Sequence, residues 1–245
     1  DKGEILTDPT AIQKDWNAYY MALYNESPEE EAYYENEFKN FVVGEIPKIE
    51  EEMLRASAGN YLNGGPITFK DVEKIIKKLP KGKACGYDQV ASEHIIYSGM
   101  TAKTIITWLL NGMIRLSKIP QRLKKGLIVS IPKPDKDSLI KGNNRGLTLL
   151  PTIYKILEKI IMLRENDWIQ STICPIQSCG KDHVSCLHTS FLVQQAITVN
   201  LNNGNPVYGL LLDVRKAFDA LWILGMMYKL YLETINPKAW LLICL

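Results

Sequence analysis

Residues 207–219 have the sequence VYGLLLDVRKAFD, and this stretch decides the fold that the chain predicts. Apolar, β-favouring residues run from Val207 to Leu212 after a turn-like NNGNP string at 202–206, which predicts a short buried strand. The strand leads directly into Asp213. A carboxylate at the end of a buried strand is costly unless a cation, a metal or solvent compensates its charge. The pattern therefore makes Asp213 a candidate cation ligand at a sheet edge.

Six residues later, Asp219 opens an amphipathic segment. Its apolar residues recur at helical spacing, which predicts a helix with an inward face: Leu221, Trp222, Met226, Met227, Leu230 and Tyr231. A lone aspartate after a strand is most often only a charged strand end, and Asp219 stands where it can cap the helix. The residues alone leave the structural and the metal-binding interpretations open.

Composition and charge indicate a globular protein with an asymmetric surface. The chain has 245 residues, 46% hydrophobic and 23% charged, which suffices for one good core or two small ones. The net charge of +2 hides fourteen acidic and five basic residues in 1–66, against thirteen acidic and twenty-four basic residues in 67–245. The basic part suits a nucleic-acid surface, and the acidic part does not.

The sequence also limits the cellular setting. It has no apolar run of about 18 residues, as a membrane span needs, and no signal-peptide architecture at Asp1. Five irregularly spaced cysteines argue against a disulfide framework and for a reducing compartment. The chain lacks an initiator Met and stops inside an apolar run at 239–245, so we expect a fragment of a longer protein.

Several helices are predicted outside the 207–219 stretch. Residues 12–24 carry an apolar stripe, and residues 26–53 are acidic with few large aliphatics, which indicates solvated helix and loop. A capping box at Thr68–Asp71 starts a helix that Pro80 ends. Further helices are predicted at 101–117, with Ile105, Trp108, Leu109 and Ile114 inward, and after Pro151, with Ile153, Ile156, Leu157, Ile160 and Ile161 buried.

Two basic segments are candidates for phosphate binding. The loop KGKACGYDQVASE at 81–93 is basic and bears glycines, but it is not a P-loop, and a solvated turn is its commoner meaning. Residues 115–145 hold nine basic residues and two acidic ones around the strand 127–131. Such a run is usually a solvated face. Here the basic residues flank an apolar strand, so several are expected at one edge, a geometry suited to phosphates.

Five potential zinc ligands crowd into residues 174–188: Cys174, Cys179, His183, Cys186 and His188. Their spacings fit no common zinc template, and no paired Cys-x2-Cys anchors them. We therefore do not expect zinc.

The order of five strings resembles the reverse transcriptases of non-LTR (LINE-type) retrotransposons. LLDVRKAFDALW at 211–222 is similar to the first palm motif, and IPKP at 131–134 followed by NNRGLTLL at 143–150 is similar to the fingers motifs. The 81–93 loop and the segment from Gln177 to Ser185 match two further strings. Gln89, Asn144 and Val184 depart from the family pattern, where Gly, Tyr and Arg are usual.

The resemblance covers about residues 67–245 and implies a fold. We expect an α/β (α+β) protein: a helical acidic extension at 1–66, reverse-transcriptase fingers at 67–205, and the first strand and helix of an incomplete palm at 206–245. The Tyr/Phe-x-Asp-Asp hairpin, which carries the family's other catalytic carboxylates, is absent from the sequence.

The resemblance also implies an activity, RNA-directed DNA polymerisation by two-Mg²⁺ nucleotidyl transfer. Asp213 would be the catalytic carboxylate and a Mg²⁺ ligand together with the carbonyl of Val214, and Asp219 would be structural. The remaining roles carried over are nucleotide binding by Lys133, Arg145 and Phe218, and template binding by Lys83, Gln177 and Lys181. The implied partners are an RNA template, a DNA primer and deoxynucleoside triphosphates, in the cytoplasm and nucleus and without a membrane.

Two alternatives remain open. The chain could be a catalytically dead nucleic-acid-binding remnant of a transposable element, and we expect the 245 residues alone to be inactive. An RNA-dependent RNA polymerase is disfavoured because Phe218 lies where those enzymes commonly carry an aspartate for the 2′-hydroxyl.

Overall fold

A computed structural model of the chain describes residues 6–24, 36–214 and 221–244. Within these ranges the protein is mixed α+β, mainly helical with one small antiparallel sheet. In chain order the elements are α1 (Pro9–Tyr24), α2 (Asn36–Ser57), α3 (Phe69–Lys77), α4 (Ser92–Ile96), α5 (Met100–Leu116), β1 (Leu127–Pro132), a 3₁₀ turn (Lys141–Asn143), β2 (Asn144–Leu149), α6 (Thr152–Arg164), α7 (Asn166–Thr172), α8 (Cys186–Asn202), α9 (Ile223–Leu232) and α10 (Pro237–Cys244).

The chain divides into two compact units, one of residues 1–164 and 218–245 and the other of residues 165–217. The first holds the sheet and every helix except α7 and α8. The sequence-based division at 66 and 205 stays a prediction for the functional domains. Among the described helices, none is long and apolar enough to cross a membrane.

The helix α3 shows how local sequence starts a helix in this protein. The Thr68 hydroxyl accepts the Asp71 N–H at 3.2 Å, while the Asp71 carboxylate accepts the Thr68 N–H at 2.9 Å. This capping box satisfies two backbone donors at the helix start. The apolar face of α3 packs against α5 and α6. Besides Thr107 and Thr152, the buried side chains of these helices are apolar: Val72, Ile75, Ile76, Leu110, Met113, Ile114, Ile156, Leu157 and Ile160.

A second core corrects the expectation for residues 26–53. The helix α2, expected to be solvated, packs against α9 and α10 and buries Val42, Ile46, Ile49 and Met53. The apolar run that begins at residue 239 joins this core, because Trp240 is fully buried and donates its indole N–H to the Met227 carbonyl at 2.9 Å. Four aliphatic or thioether side chains at helical spacing are enough to bury one face of an otherwise acidic helix.

The inward face of α5 was predicted wrongly. Of the expected residues only Ile114 is buried, whereas Ile105 and Trp108 are 55% and 70% exposed. The buried face is formed by Thr107, Leu110, Met113 and Ile114. The helix carries apolar residues on two sides, and periodicity alone does not say which side meets the core.

The expected buried strand at Val207–Leu212 is absent from the structure. These residues have no regular secondary structure, and Leu211 is 99% exposed. A strand is stabilised by hydrogen-bonded neighbours, and the one sheet formed by the described residues is the β1–β2 pair. The apolar pattern indicates strand propensity, but it does not show whether a partner strand is present.

The helix expected from Asp219 is observed as α9, but it begins at Ile223 with Trp222 as its cap. Leu221 precedes it and is 50% exposed. Met227 is fully buried, so the inward face was predicted correctly at this position.

Asp71 is expected to stabilise the first unit in a pH-dependent way. Burial raises the pKa of this carboxyl, but hydrogen bonds from Thr68 and the charge of Arg164 at 2.9 Å outweigh it, so the pKa is lowered. We expect Asp71→Asn to lower the free energy of unfolding by about 1 kcal/mol in urea titrations at neutral pH. The exposed turn variant Asp135→Asn is the matched control and should leave it unchanged.

The sign of the pH effect follows from the lowered pKa. The stabilisation is present above the unfolded-state pKa of about 3.9 and is lost as the pH falls through the lower folded-state value. The difference in the free energy of unfolding between wild type and Asp71→Asn should therefore become smaller in acid. A difference that stays constant down to pH 2 would contradict this assignment.

Candidate nucleotide and nucleic-acid site

The hairpin of β1 and β2 brings Lys133 and Arg145 to the same end of the sheet. Ile131 pairs with Arg145 and Pro132 pairs with Asn144. The ladder continues past the strand, because the Lys133 N–H donates to the Asn143 carbonyl at 2.8 Å. Two cationic residues separated by eleven intervening positions in sequence thus become neighbours at the turn end of one hairpin.

The register places Arg145 on an exposed face of the hairpin. Directly opposed residues of an antiparallel pair share a face, and successive residues alternate. Arg145 therefore shares its face with Ile131, Val129 and Leu147, which are 44%, 40% and 48% exposed. The guanidinium belongs to an exposed surface that is apolar along the strands and cationic toward the turn.

The Lys133 ammonium is held over the turn, because it donates to the Gly142 carbonyl at 2.8 Å. A lysine ammonium carries three N–H donors, so this bond leaves two for an anion. Arg145 adds a planar fork that meets phosphate oxygens two at a time. The pair is chemically suited to a polyphosphate.

The helix α1 contacts the opposite face of the hairpin. The Tyr20 hydroxyl lies 2.8 Å from the Ser130 Oγ, and the Lys141 ammonium lies 2.6 Å from the Asp15 carboxylate. Sequence analysis assigned Tyr20 to an apolar stripe but missed this contact, which spans 110 residues. A glycine inside a strand often marks the close approach of another group, and Gly146 was the available signal.

The 81–93 loop is folded back on itself rather than solvated along its length. The Gly82 N–H donates to the Glu93 carboxylate, and this bond is the main cause of the lowered pKa of Glu93. The Lys81 ammonium donates to the Tyr97 hydroxyl at 2.9 Å. Lys83 directly follows these two anchored residues and is exposed.

Two further features fix this loop. A Cβ on Gly86 would come within 2.8 Å of the Leu150–Pro151 backbone, so only glycine fits there without a shift. Gln89 has φ +57°, a left-handed conformation that glycine adopts at little cost. The departure from the family's usual Gly at this position therefore leaves the backbone shape intact, at the cost of some strain.

Tyr87 connects this loop to the basic segment before β1. Its hydroxyl donates to the Arg122 carbonyl. Arg122 and Lys125 are exposed, so the structure joins two basic segments that are 35 residues apart. The tyrosine was not singled out from sequence, because nothing local to it indicates its partner.

In the second unit, Gln177 and Lys181 lie in one turn and hold its backbone. Gln177 donates its side-chain amide to the Cys179 carbonyl at 3.0 Å, and Lys181 donates its ammonium to the Pro175 carbonyl at 2.6 Å. Gln170 closes the turn through Gly180 at 3.1 Å. Their proposed template contacts stay predictions.

The cysteine- and histidine-rich segment has a structural use for one histidine. His188 Nδ1 accepts the Ser185 N–H at 3.1 Å and so completes a capping box at the start of α8. Within the described ranges, no three His, Cys, Asp or Glu side chains are grouped closely enough to hold a metal ion.

Asp213 and Val214 lie at the end of the exposed 207–214 segment. Phe218 and Asp219 fall outside the described residues, so the roles assigned to them stay predictions. Mg²⁺ prefers several oxygen ligands in near-octahedral geometry. Among the described residues, Asp213 is not part of a group of three or more such ligands.

Curated proteins similar to this chain come from transposons. A probable RNA-directed DNA polymerase from the X-element of Drosophila melanogaster is 26% identical over 198 residues, which are 79% of this chain and 22% of that protein. The RNA-directed DNA polymerase from mobile element jockey of Drosophila funebris is 26% identical over 73% of the chain and 20% of that protein.

The chain is related to RNA-directed DNA polymerases of non-LTR transposons. This relationship, predicted from the five sequence strings, is confirmed. A 149 kDa protein of transposon TX1 from Xenopus laevis is also similar, at 25% identity over 89% of the chain. No family model matches the chain. The chain spans about a fifth of the length of the polymerase relatives.

Proposed function

We propose that the chain contributes the fingers and the first palm motif to a non-LTR retrotransposon reverse transcriptase. In the complete protein it would copy an RNA template into DNA from a DNA primer. The observation that carries the proposal is the hairpin, which brings Lys133 and Arg145 to one end of a face whose apolar side chains are exposed. The similarity to transposon polymerases supports the same conclusion.

The proposed substrate is a deoxynucleoside triphosphate. Its phosphates would accept hydrogen bonds from Arg145 and Lys133. Hydrogen bonds between charged groups are stronger than those between neutral groups. The exposed apolar strip of Val129, Ile131 and Leu147 beside Arg145 offers a surface for a base rather than for another anion. Phe218 would lie beneath the sugar and exclude a 2′-hydroxyl.

The proposed template contacts involve phosphates rather than bases. Lys83 projects from the anchored 81–93 loop, and Tyr87 ties that loop to the exposed Arg122. Lys181 and Gln177 would contribute from the second unit. Phosphate contacts of this kind position a strand without reading its sequence.

Catalysis in the complete enzyme would require Mg²⁺, which activates the primer hydroxyl and neutralises the leaving pyrophosphate. Asp213 would be its ligand in this chain, with the Val214 carbonyl beside it. The other carboxylates would come from sequence that this chain does not contain, so we propose that the 245 residues alone do not polymerise.

A second candidate function is nucleic-acid binding without chemistry. It is favoured by the exposure of Asp213 on a segment that has no sheet partner among the described residues. Primer extension on poly(rA) by the complete protein separates the two candidates, because a remnant would bind the template without extending the primer.

For the catalytic assignment, the change to make is Asp213→Asn in the complete polymerase. It should abolish primer extension because it removes a metal-binding charge, while RNA binding, measured in parallel, should survive. Asp135→Asn, on an exposed turn, is the matched control. Comparable extension by Asp213→Asn would show that another group binds the metal, and extension by the 245-residue chain alone would contradict its proposed inactivity.

Removing the hairpin cations should weaken nucleotide binding. Lys133→Ala and Arg145→Ala are each expected to raise the KM for nucleotide, because each loses a charge-assisted contact of about 1.5–3 kcal/mol. Arg145→Lys should recover only part of the loss, since an ammonium lacks the planar fork. An unchanged KM in both alanine variants would remove the hairpin from the nucleotide site.

RNA binding by the chain should be electrostatic. The logarithm of the binding constant should fall linearly with the logarithm of salt concentration, and Lys83→Ala should reduce the slope by about 0.7 for one lost single-strand phosphate contact. Lys14→Ala, an exposed change on α1, is the control and should leave the slope unaltered. A flat salt response would refute phosphate binding.

A further inference from the structure

The helix α1 belongs to the acidic amino-terminal part of the chain, yet it contacts the basic hairpin at two places. Tyr20 reaches Ser130 in the middle of β1, and Asp15 reaches Lys141 in the 3₁₀ turn between the strands. Both contacts lie within the first compact unit. One helix therefore touches both a strand and the turn of the element that carries Lys133 and Arg145.

Tyr20 is the central residue of this contact. It is 7% exposed, and its ring stacks on Trp16 at 5.7 Å and on Tyr24 at 6.0 Å between centroids. An aromatic ring held on both sides has little freedom to move. Its hydroxyl, 2.8 Å from Ser130 Oγ, is thus fixed against the face of the hairpin that α1 contacts.

Gly146 shows how closely the ring approaches the strand. A Cβ built at Gly146 would lie 2.8 Å from Tyr20 Cε1 and 3.2 Å from the Tyr24 hydroxyl oxygen. Gly146 pairs with Ser130, so the hydroxyl and the ring edge meet one cross-strand pair. Gly146 also directly follows Arg145, and the backbone that Tyr20 fixes is the backbone that aims the guanidinium.

We propose that α1 is a brace that positions Arg145 and Lys133, with Tyr20 as the positioning residue. The proposal rests on the nucleotide site of the proposed function. Two strands alone are marginally stable in water. A brace on one face keeps the hairpin ordered while its other face stays free for the nucleotide. Because the hairpin is ordered before the nucleotide binds, binding loses less conformational entropy.

The brace is tested first without any enzymatic activity, by hydrogen exchange on the 245-residue chain. Tyr20→Phe removes only the hydroxyl and should raise exchange of the β1 and β2 amides about fivefold, the ratio given by one hydrogen bond of ordinary net strength. Amides in the core of α3, α5 and α6 should keep their protection. Asn17→Ala, an exposed change on α1, is the control.

A double-mutant cycle tests the contact between Tyr20 and Gly146. Gly146→Ala alone should raise hairpin exchange because its methyl group displaces the ring. Adding Tyr20→Ala should open space for that methyl group. The rise in hairpin exchange in the double variant should therefore be smaller than the combined rises of the two single variants. Gly112→Ala, where a Cβ meets nothing within 4 Å, controls for the glycine substitution itself.

The positioning role is tested by kinetics in the complete polymerase. Tyr20→Phe should raise the KM for nucleotide by at most about fivefold with kcat nearly unchanged, because the hairpin is less often in the binding arrangement. Combining Tyr20→Phe with Arg145→Ala should add little, since the positioned group is then missing.

The outcomes separate this proposal from the proposed function. Raised hairpin exchange together with a raised KM supports the brace. Unchanged exchange in Tyr20→Phe and additive effects in the cycle overturn it, whatever the enzyme does. A normal KM in Tyr20→Phe alongside a raised KM in Arg145→Ala overturns the positioning role alone. A lower kcat with an unchanged KM in Tyr20→Phe would assign Tyr20 to another step and would also overturn the positioning role.

Discussion

A two-stranded hairpin has two faces and no neighbouring strands, and this constraint governs the candidate site. If both faces were packed, Arg145 would be buried and unable to meet a ligand. If neither were packed, the pair would be marginally stable. In this protein the aromatic side of α1 contacts the Ser130–Gly146 pair on one face, and the Ile131–Arg145 face has exposed side chains. The strict alternation of side chains along a strand makes this division possible, because neighbouring residues serve opposite purposes.

A second contact of α1 with the hairpin region bears on the charge asymmetry of the sequence. The acidic amino-terminal part and the basic remainder are opposite in charge, which sequence analysis interpreted as an extension beside a nucleic-acid surface. In the structure Asp15 lies 2.6 Å from Lys141, and both side chains are partly exposed. Such a pair contributes little stability by itself. The pair orients α1 against the turn. It also occupies Lys141, one of the nine basic residues of 115–145, which is then not available to bind a ligand.

Where sequence predicted the structure well, the determining interactions were local. The start of α3 depends on Thr68 and Asp71, three residues apart, and the structure shows the expected bonds. The face of α5 was wrong because the helix has apolar residues on two sides, and only the packing of α3 selects Leu110 over Trp108. The strand at 127–131 was predicted, but its partner β2 and the pairing of Ile131 with Arg145 were not. Tyr20 and Tyr87 were missed because their partners lie 110 and 35 residues away.

The second unit shows why the stretch that decided the predicted fold is also where prediction and structure differ. Among its described residues, 165–214, the buried one is Glu165, and no apolar side chain is buried. The helix α8 is apolar around most of its circumference, yet none of its residues is buried. A helix with that composition is ordinarily packed on several sides, and the VYGLLLD string has the composition of a strand flanked by others. Under the proposed function both would pack against the remainder of a palm. The carboxylate of Asp213 would then be held at a sheet edge instead of on an unpaired segment, and the costly charge that first singled it out would acquire the cation that compensates it.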